Sequence, residues 1–191
     1  MPAASGGGFA RQGWGRQRHR LAAFFQRTRS AGVTATSLIT RRATAADIPA
    51  LFRIRTAVRE NALSRARLAA AGVTPRSVRD LLGTTGAAWT AEEAGRALGF
   101  SMADAAQGTV FALFVLPGQE GRGIGRALLI LAEDWLAARG WRQAWLLTGA
   151  DSGLRAPGFY RRMGWRARGQ APRGERRFVR DLVLNRPRDV P

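Results

Sequence analysis

The chain has no cysteine, no lysine, one histidine and one tyrosine. Without cysteine there is no disulfide framework, no thiolate nucleophile and no Cys-based metal site. The one histidine, His19, stands in an N-terminal stretch that reads as unfolded. A histidine triad or a His metal cluster in the core is thereby excluded, and no resident metal is expected. No apolar run approaches the ~20 residues of a membrane span. Acidic side chains are scarce: 13 Asp and Glu face 31 basic residues, all arginine, for a net charge of +18. Arginine without lysine, amid abundant Ala and Gly, reads as compositional bias of the coding DNA. The charge is therefore a weak sign of nucleic-acid binding, although it creates a field that attracts polyanions.

What is present is enough for one domain with a real core: 191 residues, 46% of them hydrophobic. Residues 1–36 form a basic extension with Gly6-Gly7-Gly8 and six arginines; the first acidic residue of the chain is Asp47. Charge of one sign with few apolar residues predicts disorder there. Its apolar cluster, Leu21–Phe25, is shorter than the hydrophobic segment of a signal peptide, which gives a cytoplasmic expectation. The folded domain is expected over 37–191.

The stretch around which the rest is organised is VLPGQEGRGIGRALLILAEDWLAAR, Val115 to Arg139. An apolar strand, Thr109–Val115, runs into a turn at Pro117-Gly118. Gly121, Gly123 and Gly125 follow at alternate positions, and then an amphipathic run ends at Gly140. Glycine lets backbone approach a ligand closely and tolerates positive φ. A helix starting inside such a loop aims unpaired N–H groups and its positive dipole end at one spot. That spot is an anion site, suited to a phosphate or pyrophosphate. The spacing fits neither G-x-G-x-x-G nor a P-loop, which needs a lysine.

The segment Gly121-Arg122-Gly123-Ile124-Gly125-Arg126-Ala127 instead resembles the pyrophosphate loop of the GCN5-related N-acetyltransferase (GNAT) family, whose members bind acetyl-coenzyme A. The Val-x-Pro end of the preceding strand and the Ala-Leu-Leu start of the following helix match as well. The resemblance implies an α/β (α+β) GNAT fold. Its sheet is mixed but mostly antiparallel, it splays in a V between the fourth and fifth strands, and helices lie on both faces. It also implies an acetyl-CoA-dependent N-acetyltransferase acting on a primary amine of a small molecule or a protein, as a monomer or homodimer. The backbone of Arg122, Gly123, Ile124, Gly125, Arg126 and Ala127 would cradle the pyrophosphate, with charge added by Arg122 and Arg126. Leu113, Phe114 and Val115 would bond the pantetheine arm through their main chain.

The order of elements agrees with that family. A strand at Ser37–Arg42 precedes a helix capped by Thr44 with Asp47 in the capping-box position, its apolar face formed by Ile48, Leu51, Phe52, Arg55 and Val58 and its end near Arg59-Glu60-Asn61. A second helix is capped by Thr74, starts at Pro75 and stops at Gly83. Two strands, Ala87–Glu92 and Arg96–Ala103, turn at Glu93-Ala94-Gly95. After Thr109–Val115 and the long helix Gly123–Arg139 comes a strand at Gln143–Thr148, expected parallel to Thr109–Val115. A short helix, Ala156–Met163, then leads to a hairpin of Trp165–Gly169 and Arg177–Leu184.

Acyl transfer to an amine also needs an acid for the departing thiolate and a neutral amine. Tyr160, in Pro157-Gly158-Phe159-Tyr160, resembles the Phe-Tyr pair of the second family signature, and a phenol is neutral at pH 7 with a proton to give. Glu60 is the candidate base, since the loop after the first helix lines the acceptor side in the family; Asp104 and Glu92 are weaker candidates. Three positions depart from the family pattern: Glu120 stands where Gln or Arg is common, Gly153 or Ser152 where an Asn is common, and Thr148 where some members carry a catalytic glutamate. Beside an anion, Glu120 is expected to turn outward. A second reading from another class is a basic nucleic-acid-binding protein that uses the arginine arm, with coenzyme A as a sensory ligand. Loss of salt-dependent RNA or DNA affinity on deleting the arm would favour it.

Overall fold

The computed structural model describes residues 37–183, except 61 and 152 and the side chain of residue 173. The basic extension and the Leu184 end of the last expected strand lie outside the described residues. Seven strands make one sheet: β1 (Ile39–Arg42), β2 (Gly86–Glu93), β3 (Arg96–Asp104), β4 (Thr109–Val115), β5 (Gln143–Gly149), β6 (Arg166–Ala171) and β7 (Glu175–Asp181). Five α-helices accompany them: α1 (Ile48–Ala57), α2 (Arg65–Ala70), α3 (Pro75–Gly83), α4 (Ile124–Ala137) and α5 (Arg155–Arg162). The spatial order is β1-β2-β3-β4-β5-β7-β6. All neighbours are antiparallel except β4 and β5. The final hairpin folds back so that its second strand, not its first, pairs with β5.

Local chemistry explains most boundaries. Thr44 and Asp47 form the expected reciprocal capping box, but around a 3-10 turn, Ala45–Asp47, that leads into α1. That helix stops at Ala57, where Val58 turns extended, so Val58 is not on the buried face; Ile54, fully buried, takes its place. Thr74 and Ser77 cap α3 reciprocally, with Pro75 at its first position. The β2–β3 turn puts Ala94 at φ 50° and Gly95 at φ 72°, the two left-handed residues that a tight hairpin needs. Helix α2 was not expected. It is capped by Ser64 but buries only Leu68.

Which face each helix covers follows from alternation along β3. Gly99 and Ser101 face α4: a Cβ at Gly99 would lie 3.0 Å from Ile124 Cγ2, and Ser101 Oγ donates to Leu128 O at 2.8 Å. A glycine there lets α4 press Ile124, Leu128, Ala132 and Leu136 onto the sheet at i, i+4 spacing, all of them buried. Phe100, on the opposite face, pairs with Phe114 of β4, over which the Arg55 guanidinium of α1 stacks at 4.5 Å. A register shift next to Met102/Ala103 leaves Phe111 of β4 without a partner on β3, a bulge of the kind that re-aims a side chain.

One ion-pair network ties β1 to the start of α1. Arg41 donates to Asp47 at 2.7 and 2.9 Å and also to Glu92. The Arg41 guanidinium, helped by the Thr44 amide, holds the Asp47 carboxyl down to about 2. A lowered carboxyl pKa adds stability that is complete above the usual aspartate range and lost as pH falls toward 2. Asp47→Asn is therefore expected to cost about 2 kcal/mol near pH 7. Urea unfolding should show the cost shrinking between about pH 4 and 2. A cost that does not change with pH would mean the network adds no charge-dependent stability.

Candidate functional site

The glycine loop sits where β4 ends. Gly118, Gly121 and Gly123 have φ of 80°, 75° and 79°, so the backbone winds through left-handed positions before α4 begins. Gly123 is the N-cap of that helix. The Ala127 amide bonds Gly123 O at 3.0 Å, closing the first helical turn. Among the described residues, the amides of Gly121, Arg122, Gly123, Ile124 and Gly125 meet no backbone acceptor. Nothing lies within 4 Å of where a Cβ would stand at Gly121 or Gly123. Unpaired N–H groups, a helix dipole and open space on one side fit a diphosphate.

The strands beside the loop part as expected. β4 and β5 share one paired position, Thr109 with Trp145. There the Trp145 amide bonds Gly108 O at 3.1 Å, and Thr109 Oγ1 donates to Trp145 O at 2.9 Å. Beyond that point Val110–Val115 pairs only with β3, and Leu146–Gly149 only with β7. The V-shaped gap thus leads from the closed end at Thr109 to the glycine loop, with Leu113, Phe114 and Val115 along one side.

Side chains around the loop are held by ion pairs. Arg122 turns to Glu93 of the β2–β3 hairpin, at 2.7 Å, and to Gln119, so its charge is met by a carboxylate. That pairing holds the Glu93 carboxyl below its usual range. Arg126 is exposed on the first turn of α4. Glu120 turns back: its carboxylate accepts the Gly118 amide at 2.7 Å and pairs with Arg155 at 3.0 Å. Its own amide chiefly, with Arg155 and the Gly118 amide, holds its carboxyl low.

Tyr160 is placed by α5. Its ring is buried and meets Phe159, Trp165 and Phe178 at 5.3–6.0 Å between centroids. The hydroxyl has no hydrogen-bond partner among the described residues, and burial pushes the phenol well above the usual tyrosine range. Phe159 sits near the head of α4, 3.5 Å from where a Gly125 Cβ would be. Trp165 Nε1 donates to Glu133 Oε1 at 2.7 Å, and Glu133 pairs with Arg180, which fixes α4, the end of α5 and β7 together. Burial of Glu133 raises its carboxyl despite the arginine.

Glu60 is joined to Arg155, at the first position of α5, through the guanidinium and through the Arg155 amide at 3.3 Å. Arg155 therefore links the segment after α1, the glycine loop through Glu120, and the helix that carries Tyr160. Glu92 is taken up by Arg41 and Thr90. Asp104, 9% exposed, accepts the Ala106 amide at 2.9 Å and lines a cavity of about 380 Å³ on the face of the sheet opposite α4. Glu175, Trp145, Leu147 and Phe111 line the same cavity. None of these four was singled out from the sequence, because they lie on three strands separated by up to 64 positions and carry no shared motif.

A split sheet with an amide-lined loop at the head of a helix offers an anion site at the loop and unpaired strand edges along the split. Residues 53–165 match the family model "Acetyltransferase (GNAT) family". The chain belongs to the GNAT acetyltransferase family and is an N-acetyltransferase by that membership. Solved structures with this fold include a PaiA N-acetyltransferase from Thermoplasma acidophilum in complex with coenzyme A (13% identity, TM-score 0.66, covering 76% of this chain and 99% of that one). A phosphinothricin acetyltransferase from Sinorhizobium meliloti, in complex with acetyl-CoA, aligns at 23% identity and TM-score 0.59 (76% and 88%). The ribosomal-protein-S18-alanine N-acetyltransferase of Escherichia coli aligns at 19% and 0.57 (74% and 90%). At these identities the likeness concerns the fold. No curated protein sequence matches the chain.

Proposed function

We propose that the chain transfers an acetyl group from acetyl-CoA directly to a primary amine, with the diphosphate held by the amides of residues 121–125 and not by that of Ala127, which bonds Gly123 O, and with the pantetheine arm along Leu113, Phe114 and Val115. The observation that carries this reading is the run of amides without backbone acceptors at the head of α4, opening onto the β4–β5 gap. When bound, acetyl-CoA supplies the activated acetyl group as a thioester. The chain supplies the grip and the proton. Arg122 contributes its amide, its guanidinium being engaged by Glu93.

Tyr160 is the acid in this reading. Its hydroxyl bonds no other described residue, and burial, by raising its pKa, keeps it protonated across the neutral range. It can direct that hydrogen to the departing sulfur. Glu60 is assigned a positioning role: through Arg155 it fixes the start of α5 and so the depth of Tyr160.

Calorimetric titration with acetyl-CoA, followed by thiol release in the presence of an amine panel, tests the reading. Saturable binding and amine-dependent release are expected; no binding would overturn it. Glu60→Gln is expected to lower kcat by a similar factor across the pH range. A flattened acidic limb of the pH–rate profile would instead make Glu60 the base.

A further inference from the structure

We infer that the far end of α4 and the sheet edge beside it carry a second anion site, built by Arg42 and Arg139 and suited to a phosphoryl group. The site is distinct from the glycine loop: the fourteen residues of α4 span about 20 Å, and the two sites lie at its opposite ends. Arg42, the last residue of the edge strand β1, pairs in register with Trp89 of β2. Trp89 pairs in turn with Ser101, which bonds α4, so Arg42 stands on the face that α4 covers. Its guanidinium lies 4.9 Å from the Trp89 ring and 5.4 Å from that of Trp135. Arg139, four positions after Trp135, lies back over the same Trp135 ring at 3.8 Å.

Two like charges, both exposed, therefore share one indole. Burial first, and then the charge of Arg139, lower the pKa of Arg42. Neither arginine has a carboxylate partner among the described residues. Asp134, beside Trp135 in the chain, pairs with no arginine there either, and its carboxyl is raised by desolvation. By contrast Arg41, on the other face of β1, is taken up by Asp47 and Glu92. Contact with the indoles holds the two guanidiniums in place and leaves N–H groups at their edges for an anion. Groups held before the ligand arrives lower the cost of binding it. The Trp89 and Trp135 rings cross at 77°, which favours a ligand with oxygens in more than one plane, a tetrahedral phosphoryl group over a flat carboxylate. The negative end of α4 does little to oppose it. The carbonyls of Asp134, Leu136 and Ala137 are already taken by amides of residues 138–141, and Arg139 carries its charge back over the preceding turn.

The test is calorimetry of the full chain at fixed ionic strength with inorganic phosphate, acetate, a phosphoserine peptide and the same peptide unphosphorylated. Saturating coenzyme A fills the glycine loop with its own diphosphate. Phosphate is expected to bind about tenfold tighter than acetate, the scale of one further charge-assisted hydrogen bond. Arg42→Gln and Arg139→Gln should each weaken phosphate about tenfold on the same scale and leave coenzyme A affinity unchanged. Arg76→Gln, at an arginine exposed on α3, controls for loss of charge and should change neither. The pair Arg42→Lys/Arg139→Lys keeps both charges and stems but loses the planar forks, and should bind phosphate better than the glutamine pair and worse than the wild type. These substitutions locate the signal whether or not the loop takes coenzyme A. The wild type carries its own reporter: Trp135 Nε1 is buried with no acceptor among the described residues, and its ¹H–¹⁵N signal should shift with the calorimetric affinity. A phosphoserine peptide that binds tighter than free phosphate, its unphosphorylated form not binding, makes the ligand a phosphorylated protein; free phosphate binding as well or better makes it a small phosphate. Absence of saturable phosphate binding, equal affinity for acetate, affinity that survives the glutamine pair, or a Trp135 signal that stays in place at saturation each overturns the inference and leaves the two arginines as caps on their indoles.

Discussion

Gly123→Val is expected to weaken acetyl-CoA binding at least ~100-fold while leaving the melting temperature within a few degrees. Gly123 sits at φ 79° as the N-cap of α4. A β-branched residue is a genuine outlier there, at a cost on the order of 1–3 kcal/mol. The backbone relieves that cost by rotating out of the left-handed region, which turns the amides of residues 122–125 away from a common point. A hundredfold loss corresponds to about 2.7 kcal/mol, and scattering two or three charge-assisted hydrogen bonds reaches it. The added Cβ itself meets nothing within 4 Å, so the effect is expected through the backbone and not through a packed neighbour of the Cβ. Gly125→Ala is the contrasting case. Its Cβ would make ordinary contacts with Phe159 and Val115, 3.5–3.8 Å away, so affinity should change less than about threefold. Parallel calorimetry and thermal melts on the two variants check both halves. Normal binding by the valine variant would remove the loop from the site.

The second large effect is at Tyr160. Tyr160→Phe should lower kcat by about 10²-fold or more, the lower bound for a positioned acid, with acetyl-CoA affinity unchanged. Stability should hardly move, because the ring stays among Phe159, Trp165 and Phe178 and the lost hydroxyl bonds nothing described. Burial raises the phenol's pKa. The wild-type rate should accordingly show no alkaline decline from this group in the ordinary tyrosine range. Unchanged turnover in the phenylalanine variant would take Tyr160 out of the mechanism; a large fall in melting temperature would make its role structural.

The parts of this site that were legible in the sequence are local ones. A strand ending in Val115, glycines at alternate positions and a helix with i, i+4 apolar spacing are neighbours in the chain, and their physics is set within about fifteen residues. Thr74 with Pro75, and Ala94-Gly95, were readable for the same reason. Long-range choices were not. The insertion of β7 beside β5 depends on which edge of the final hairpin offers the better apolar match, and Phe178 and Val179, both buried, decide it. Helix α2 has no apolar period, only a Ser64 cap and Leu68. Arg155 gave no signal at all, because its meaning comes from Glu60, 95 positions away. The cavity lined by Asp104, Phe111, Trp145, Leu147 and Glu175 was hidden likewise, because only sheet pairing brings residues of four strands to one wall.

In the proposed function the backbone amides at the head of α4 grip the diphosphate, and amide chemical shifts read them directly. In a ¹H–¹⁵N titration of the full chain with coenzyme A, the largest changes should fall on Gly121, Gly123, Ile124 and Gly125, moving together and saturating with the calorimetric affinity. Saturable binding that left those four signals in place, with the largest changes elsewhere on the sheet, would contradict the account.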